Sequence, residues 1–349
     1  MRSIKGPKRK SESVIKANVS ASNGSKRQPR TSKILSPQEL FAGKLDGNVV
    51  LNVEGKKLSL TNLHKIYWPG EKLTKGDLLR YYYQTSSYIL PYLKNRPLIL
   101  KRYPDGIERP AFHQHSLINP PNFVRTFSRA SQTGQVIHPV CNNLATLLYL
   151  ANLGSISLHA WGSCTNAPEK PDWIVFDLDP GDADFGDVCE GALVLKQILG
   201  DQGLASYPKT SGSSGLHVYL PIKPRHDYEI VVGFAAMIAE KASRTRPDIL
   251  TVERSIKGRK GRIYVDFLQN GYGKSVAVAY SVRARSGAPV SAPLTWKEVQ
   301  SKKVGPRQYT IQNLARRLKK VGGKDLFLEV LTERQSLSGV LSKLKTLSA

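Results

Sequence analysis

The sequence is poor in sulfur and in acidic charge. Only three cysteines (Cys141, Cys164 and Cys189) occur in 349 residues, an odd number at wide spacing, with no Cys-x-x-Cys pair. That count excludes a disulfide framework and a thiolate zinc site, and it fits a reducing cytoplasmic compartment. No run approaches the roughly 18 apolar residues of a membrane span, and the basic N-terminus lacks the apolar stretch of a secretory signal. Acidic residues number 27 against 52 basic ones, a formal charge of +25. Hydrophobic residues make up 40% of the chain, too many for a wholly disordered protein. A folded basic protein with an anionic partner is expected, nucleic acid first among the candidates.

The charge excess is uneven. Residues 1–34 hold ten Lys/Arg and one acidic residue, and residues 301–349 hold eleven and three. The first stretch is rich in Ser, Asn, Gly and Lys without apolar periodicity, and reads as a disordered basic arm over 1–45. The last reads as a basic helical extension over 301–349, with a short helix at 313–320. Between them, 46–300 reads as the catalytic domain. Thr74, with Asp77 three residues on, forms a capping-box pattern that opens a helix over 74–93. A strand over 97–103 ends at Pro104-Asp-Gly106. A helix at 142–153 and a strand at 155–160 follow. Strands at 173–178, 216–222, 262–268 and 275–280 then alternate with helices at 191–199 and 228–241, an α/β or α+β pattern.

Asp172-Trp-Ile-Val-Phe-Asp-Leu-Asp-Pro-Gly181 is an apolar strand that ends in two carboxylates. Residues two apart on a strand share a face, so Asp177 and Asp179 project side by side and repel each other unless a cation or proton compensates. A hard divalent cation suits such oxygens, and solvated turn carboxylates are the competing reading. Asp266 interrupts the apolar stretch Arg262-Ile-Tyr-Val-Asp-Phe-Leu268 and needs a cationic or hydrogen-bonding partner. Placed beside Asp177 and Asp179, it would complete a carboxylate set able to hold two metals for nucleotidyl transfer. Lys209-Thr-Ser-Gly-Ser-Ser-Gly-Leu-His217 is a Gly/Ser loop entering a strand, either a phosphate cradle or a plain turn. It lacks the Gly-Lys-Ser/Thr ending of a Walker loop. In Tyr280-Ser-Val-Arg-Ala-Arg285, Arg283 and Arg285 would share a face if extended, ready to grip a triphosphate.

Taken in order, Asp177-Leu-Asp179-Pro-Gly, Ser211-Gly-Ser-Ser-Gly-Leu-His217, Val265-Asp266 and Tyr280-Ser-Val-Arg-Ala-Arg285 resemble the polymerase domain of bacterial ligase D. That domain belongs to the archaeo-eukaryotic primase superfamily and serves non-homologous end joining. The likeness runs from about Leu60 to about Trp296 and includes Thr61-Asn-Leu-His-Lys65, Asn95-Arg-Pro97 and Lys101-Arg-Tyr-Pro-Asp-Gly106. It implies an α+β, archaeo-eukaryotic primase-like fold with an RRM-like catalytic sheet and an N-terminal α/β subdomain. It implies nucleotide addition at DNA ends and gaps from NTPs or dNTPs, with two Mn2+ or Mg2+ ions held by Asp177, Asp179 and Asp266. By the same resemblance Lys101, Arg102, His159, Ser211, Ser214, His217 and Arg283 line the nucleotide site. Asn62, Lys65 and Lys75 take a DNA 5′-phosphate, and Phe112 and His113 stack on template.

Two departures stand out: Ser214 occupies a position where relatives often carry Lys, and His113 one that is often apolar and aromatic. No Lys-x-Asp-Gly adenylation motif and no His-rich phosphoesterase stretch occurs. The expected enzyme is therefore a bacterial cytoplasmic, nucleoid-associated polymerase that works with a Ku-like end-binding protein and a separate ligase. The alternatives are a catalytically weakened module that binds 5′-phosphorylated DNA ends, motivated by Ser214, and a primase. The second would start chains on single-stranded template without a primer.

Overall fold

The computed structural model describes residues 34–342 except 115, 132 and 133. The greater part of the basic arm, 1–33, lies outside the described residues. The remainder of the stretch assigned to that arm is folded. Ser36 closes a capping box with Glu39 at the start of a helix, Pro37–Ala42. Leu40, Phe41 and Leu45 bury their side chains in the main core. Next to this helix lies a three-stranded sheet of Ile34–Leu35, Val49–Val53 and Lys56–Leu60. The Thr74–Asp77 capping box forms as its spacing predicts. The single helix expected over 74–93 is two, Lys75–Gln84 and Ser86–Leu93, which meet at Thr85.

Two sheets position the site. The first has five strands in the spatial order Tyr207–Thr210, Leu216–Pro221, Trp173–Asp179, Ile263–Asp266, Leu250–Thr251. Helix Phe185–Gly200 follows the central strand, and helix Tyr228–Thr245 follows the hairpin. Leaving aside the short edge strand Leu250–Thr251, the chain runs strand–helix–strand–strand–helix–strand, with the first and third of these strands in the middle. That is the split βαβ arrangement of RRM-like sheets, and with the surrounding helices and sheets it makes the fold α+β.

Side chains alternate strictly across this sheet. Ile174, Phe176, Leu178, Leu216, Val218, Leu220, Ile263 and Val265 enter a core shared with the two helices. The opposite face carries Asp177, Asp179, His217 and Asp266. Burying a full set of aliphatic side chains is worth roughly 1.5–3 kcal/mol each, so the helix-covered face fixes the register. A one-residue slip would bury the carboxylates instead.

The second sheet has the order Ser275–Ala277, Ser155–Trp161, Leu98–Arg102, Phe112–Gln114. Helix Leu144–Asn152, capped by Asn143, leads into its longest strand. A separate hairpin, Arg125–Ser131 with Gly134–Val140, stands beside it.

The packed body continues past residue 300. A short helix, Leu314–Lys320, forms where basic helical character was expected, and Phe327 and Val330 are buried in the main core. Leu337 and Val340 are buried in the second core. Among the described residues, no helix is long and apolar enough to cross a membrane. Cys141 and Cys189 are buried and Cys164 half-buried, all three as free thiols.

Candidate active site

One register line crosses the five-stranded sheet. Lys209 pairs with His217, His217 with Asp177, and Asp177 with Asp266. Directly opposed residues point to the same face, so four ionisable groups stand in a row, with Asp179 one step along. His217 Nε2 lies 3.3 Å from Asp177 Oδ1.

Burial, and then repulsion from Asp179 and Asp266, push the Asp177 carboxyl up to about 8, while Lys209 and Arg283 pull against that rise. Asp179 is raised as well, by burial and by Asp266. Asp266 has drawn in neutral donors. Its Oδ1 accepts from the Leu268 N–H at 2.9 Å and the Tyr264 hydroxyl at 3.3 Å, and its Oδ2 from Gln269 Nε2 at 3.0 Å.

These three side chains fit a hard divalent cation in donor type, in shared face and in unrelieved negative charge. Among the described residues no set of three His, Cys, Asp or Glu groups already converges on one ion position. Asp266 is turned toward Leu268 and Gln269 instead. Asn270 braces this corner by donating to the Val175 carbonyl and accepting from the Val175 N–H, each at 2.7 Å, where the central strand lacks a neighbour.

The Gly/Ser loop closes over one end of the row. The Ser211 hydroxyl accepts from the N–H groups of Ser213 and Gly215 at 3.1 and 3.0 Å, curling the loop. Gly215 passes so close to the central strand that a Cβ there would stand 2.0 Å from the Leu178 carbonyl oxygen. Gly212 has φ +69°, and a Cβ on it would meet the backbone at Ser291 at 2.9 Å. Arg283 spans the gap and donates to the Ser211 carbonyl at 2.7 Å. Ser211, Ser214, His217, Asp177, Asp179, Arg283 and His159 line one cavity of about 320 Å³. Arg283 and His159 also line a second cavity of about 660 Å³, together with Lys101 and His113. The two form one cleft between the sheets. Burial, Arg283 and Lys209 push His159 down to about 3, so it is a neutral donor–acceptor at any working pH.

Arg102 is a correction. Neighbouring strand residues face opposite ways, so when Lys101 faces the cleft Arg102 cannot. It donates instead to the Leu153 carbonyl at 2.7 Å and to Gln114 at 3.0 Å, and its guanidinium lies 5.2 Å from the centre of the Phe112 ring. The same alternation separates Phe112, 46% exposed, from His113. Asn62 and Lys65 line a distinct open pocket of about 490 Å³, with Lys65 paired to Asp105. Lys75 lies behind it, nearly buried, donating to the Thr61 carbonyl at 2.7 Å. Burial, then Lys65 and Arg102, lower its ammonium to about 8.

Sequence reasoning missed three residues here. Gln269 holds Asp266 and lines both cavities. Arg307 reaches back from the C-terminal segment to donate to the Ser213 carbonyl at 2.7 Å, bringing a guanidinium to the loop beside Ser214. Lys209, the third, is the buried end of the register line.

The family model for the LigD primase-polymerase domain matches residues 74–327. The chain belongs to the LigD primase-polymerase family. Within this family it is similar to the bifunctional non-homologous end joining protein LigD of Bacillus subtilis, 36% identical over 83% of this chain and 47% of that one. To the multifunctional LigD of Mycobacterium bovis it is 30% identical, over 70% of this chain and 34% of the relative. The chain thus spans between a third and a half of these curated LigD proteins. Among solved structures, the polymerase domain of Mycobacterium tuberculosis ligase D in complex with DNA superposes with a TM-score of 0.74 at 27% identity. That match covers 80% of this chain and 99% of the other.

Proposed function

We propose that this LigD-family domain is a nucleotidyltransferase that extends a primer 3′-hydroxyl with NTPs or dNTPs at gaps and double-strand breaks during end joining. The observation that carries the reading is the register line that sets Asp177, Asp266 and His217 on one sheet face, beneath a cleft that also receives Arg283, Lys101 and His159. Asp177, Asp179 and Asp266 would hold two Mn2+ or Mg2+ ions. When bound, such ions lower the pKa of the attacking hydroxyl and offset charge on the leaving pyrophosphate.

The chain's own groups do the rest. Arg283, Ser211, His217 and Lys101 bind and orient the triphosphate, and Ser214 sits in the same loop without adding charge. The loop glycines let N–H groups approach phosphate oxygens. Asp266 would turn from Gln269 toward the ions and accept the primer hydroxyl proton. His159 and His113 contact the nucleotide and template side of the cleft. Asn62, Lys65 and the supporting Lys75 receive a downstream 5′-phosphate, and Phe112 offers an exposed ring for base stacking. A Ku-like end-binding protein and a DNA ligase activity complete the expected set of partners, in the bacterial cytoplasm at the nucleoid.

The test is extension of a gapped duplex bearing a 5′-phosphate, supplied with NTP or dNTP and Mn2+. Wild type should incorporate nucleotide, and Asp177→Ala should lose at least about 100-fold in rate. Full activity in Asp177→Ala, or none in wild type, would overturn the assignment.

A further inference from the structure

Arg283 and Arg285 reach the cleft from a short arm that runs on from Tyr280. As far as Arg283 the arm is held by backbone pairing. Val282 bridges to Val290, the Ser291 N–H donates to the Ser281 carbonyl at 2.9 Å, and the Arg283 N–H donates to the Pro289 carbonyl at 2.7 Å. Beyond Arg283 that cross-strand pairing stops. Gly287 and Ala288 take φ of +87° and +45° in succession, and an alanine holds the left-handed region only where its surroundings impose it. Arg285 sits in this unpaired stretch. It is exposed and lines both cavities, and its guanidinium makes no hydrogen bond or ion pair among the described residues. What holds the tip comes from Trp68 and Glu71, 215 to 217 residues earlier in the chain. Trp68 is wholly buried, and its indole N–H donates to the Arg285 carbonyl at 2.9 Å. Glu71 Oε1 accepts twice, from the Gly287 N–H at 2.6 Å and from the Ser286 hydroxyl at 2.9 Å. Both peptide groups that flank Ser286 are therefore fixed from outside the arm, one of them by a carboxylate, the stronger kind of acceptor.

We propose that Glu71 is a positioning residue: its carboxylate clamps the Ser286–Gly287 turn and so sets Arg285 in the cleft, beside Arg283, for the phosphates of the incoming nucleotide. Glu71 itself lines neither cavity. The sign of its effect separates the clamp from simple electrostatics. A carboxylate near an anion site repels the anion, so removing its charge would tighten nucleotide binding if charge were all that mattered. A clamp predicts the reverse, because Arg285 loses its fixed position and ordering it again costs binding energy. The structural assignment stands on the contacts of Glu71. Its consequence for triphosphate binding rests on the polymerase reading above.

The experiment pairs amide hydrogen exchange with kinetics on the full chain. The Gly287 amide should exchange slowly in wild type and at least about tenfold faster in Glu71→Ala. Glu71→Gln should keep most of the protection, because its amide oxygen can still accept from both donors. On the gapped duplex with Mn2+, Glu71→Ala should raise the KM for NTP about tenfold with kcat within about threefold of wild type, and Glu71→Gln should bring KM back to within about threefold. In an Arg285→Ala background the effect of Glu71→Ala on KM should shrink below about threefold, as for residues that act as a unit. A fast-exchanging Gly287 amide in wild type, or a KM that is unchanged or lowered in Glu71→Ala, would overturn the proposal. So would a KM effect in the double variant equal to the product of the single ones. If Glu71→Ala fails to fold, Gly287 exchange in wild type and the KM of Ser286→Ala decide, the latter rising by a smaller factor if the clamp is real and staying at the wild-type value if it is not. A wild-type chain that incorporates no nucleotide would overturn the polymerase reading and leave the clamp to the exchange measurement.

Discussion

Asp177 stands where like charges converge, and its raised pKa has a consequence for stability. A carboxyl whose folded pKa exceeds its unfolded value binds its proton more tightly in the native state. The stabilisation is complete below the unfolded value near pH 4. It is lost as the pH rises through the folded value of about 8 for Asp177. With divalent cations chelated, the protein should therefore lose stability between about pH 4 and pH 8, and Mn2+ should restore it most at the upper end. Asp177→Asn should remove the repulsion and stabilise the chelated protein at pH 8 by about 1 kcal/mol. It should do so while abolishing turnover. Urea denaturation in chelator at pH 5 and pH 8 measures both effects. A less stable Asp177→Asn at pH 8 would show that the carboxylates are already compensated within the protein.

At the scale of single elements, the loop over the row depends on close backbone approach. Gly215→Ala places a methyl group 2.0 Å from a carbonyl oxygen, so the loop or the central strand must shift. Overpacking of this kind costs about 1–3 kcal/mol, and the shift should also raise the KM for NTP, as denaturation and steady-state kinetics would show. Wild-type stability and KM in this variant would mean that the loop relaxes freely.

The carboxylates and the loop were legible because strand alternation and short local motifs encode them. Lys209 was not legible, because its partners lie 8 and 82 residues away and only the sheet register unites them. Arg102 differs: the family resemblance carries the whole Lys101-Arg102 segment to the nucleotide site, and strand alternation turns only Lys101 into the cleft. The helix expected over 74–93 read as continuous because Thr85 and Ser86 are tolerated in helices, and only the tertiary packing shows the break.

Across the whole molecule, the C-terminal segment packs against the elements that build the candidate site. Asp325 accepts from Tyr92 at 2.7 Å, from Tyr280 at 2.5 Å and from the Phe327 N–H at 3.0 Å. Tyr280 holds a φ of +67°, uncommon for a bulky residue, just before the arm that carries Arg283. Charge counting saw a basic tail here. The packing role is carried by Phe327 and Val330, whose partners are distant in sequence. The N-terminal basic residues play a different part: removing residues 1–33 should weaken DNA binding and make it less salt-dependent. Each lost phosphate contact lowers the slope of log affinity against log salt by ~0.9. Turnover at saturating DNA should persist. Loss of turnover in that truncation would place catalytic function in the arm.

In the proposed mechanism, nucleotide and metal meet at the row of Asp177, Asp179 and Asp266. Anomalous diffraction from crystals of the full chain, grown with Mn2+ and a non-hydrolysable nucleoside triphosphate, tests this most directly. Manganese peaks should lie beside Asp177, Asp179 and Asp266, with Asp266 released from Gln269 and the triphosphate beside Arg283 and His217. Manganese and triphosphate bound elsewhere, with Asp266 still held by Leu268 and Gln269, would contradict it.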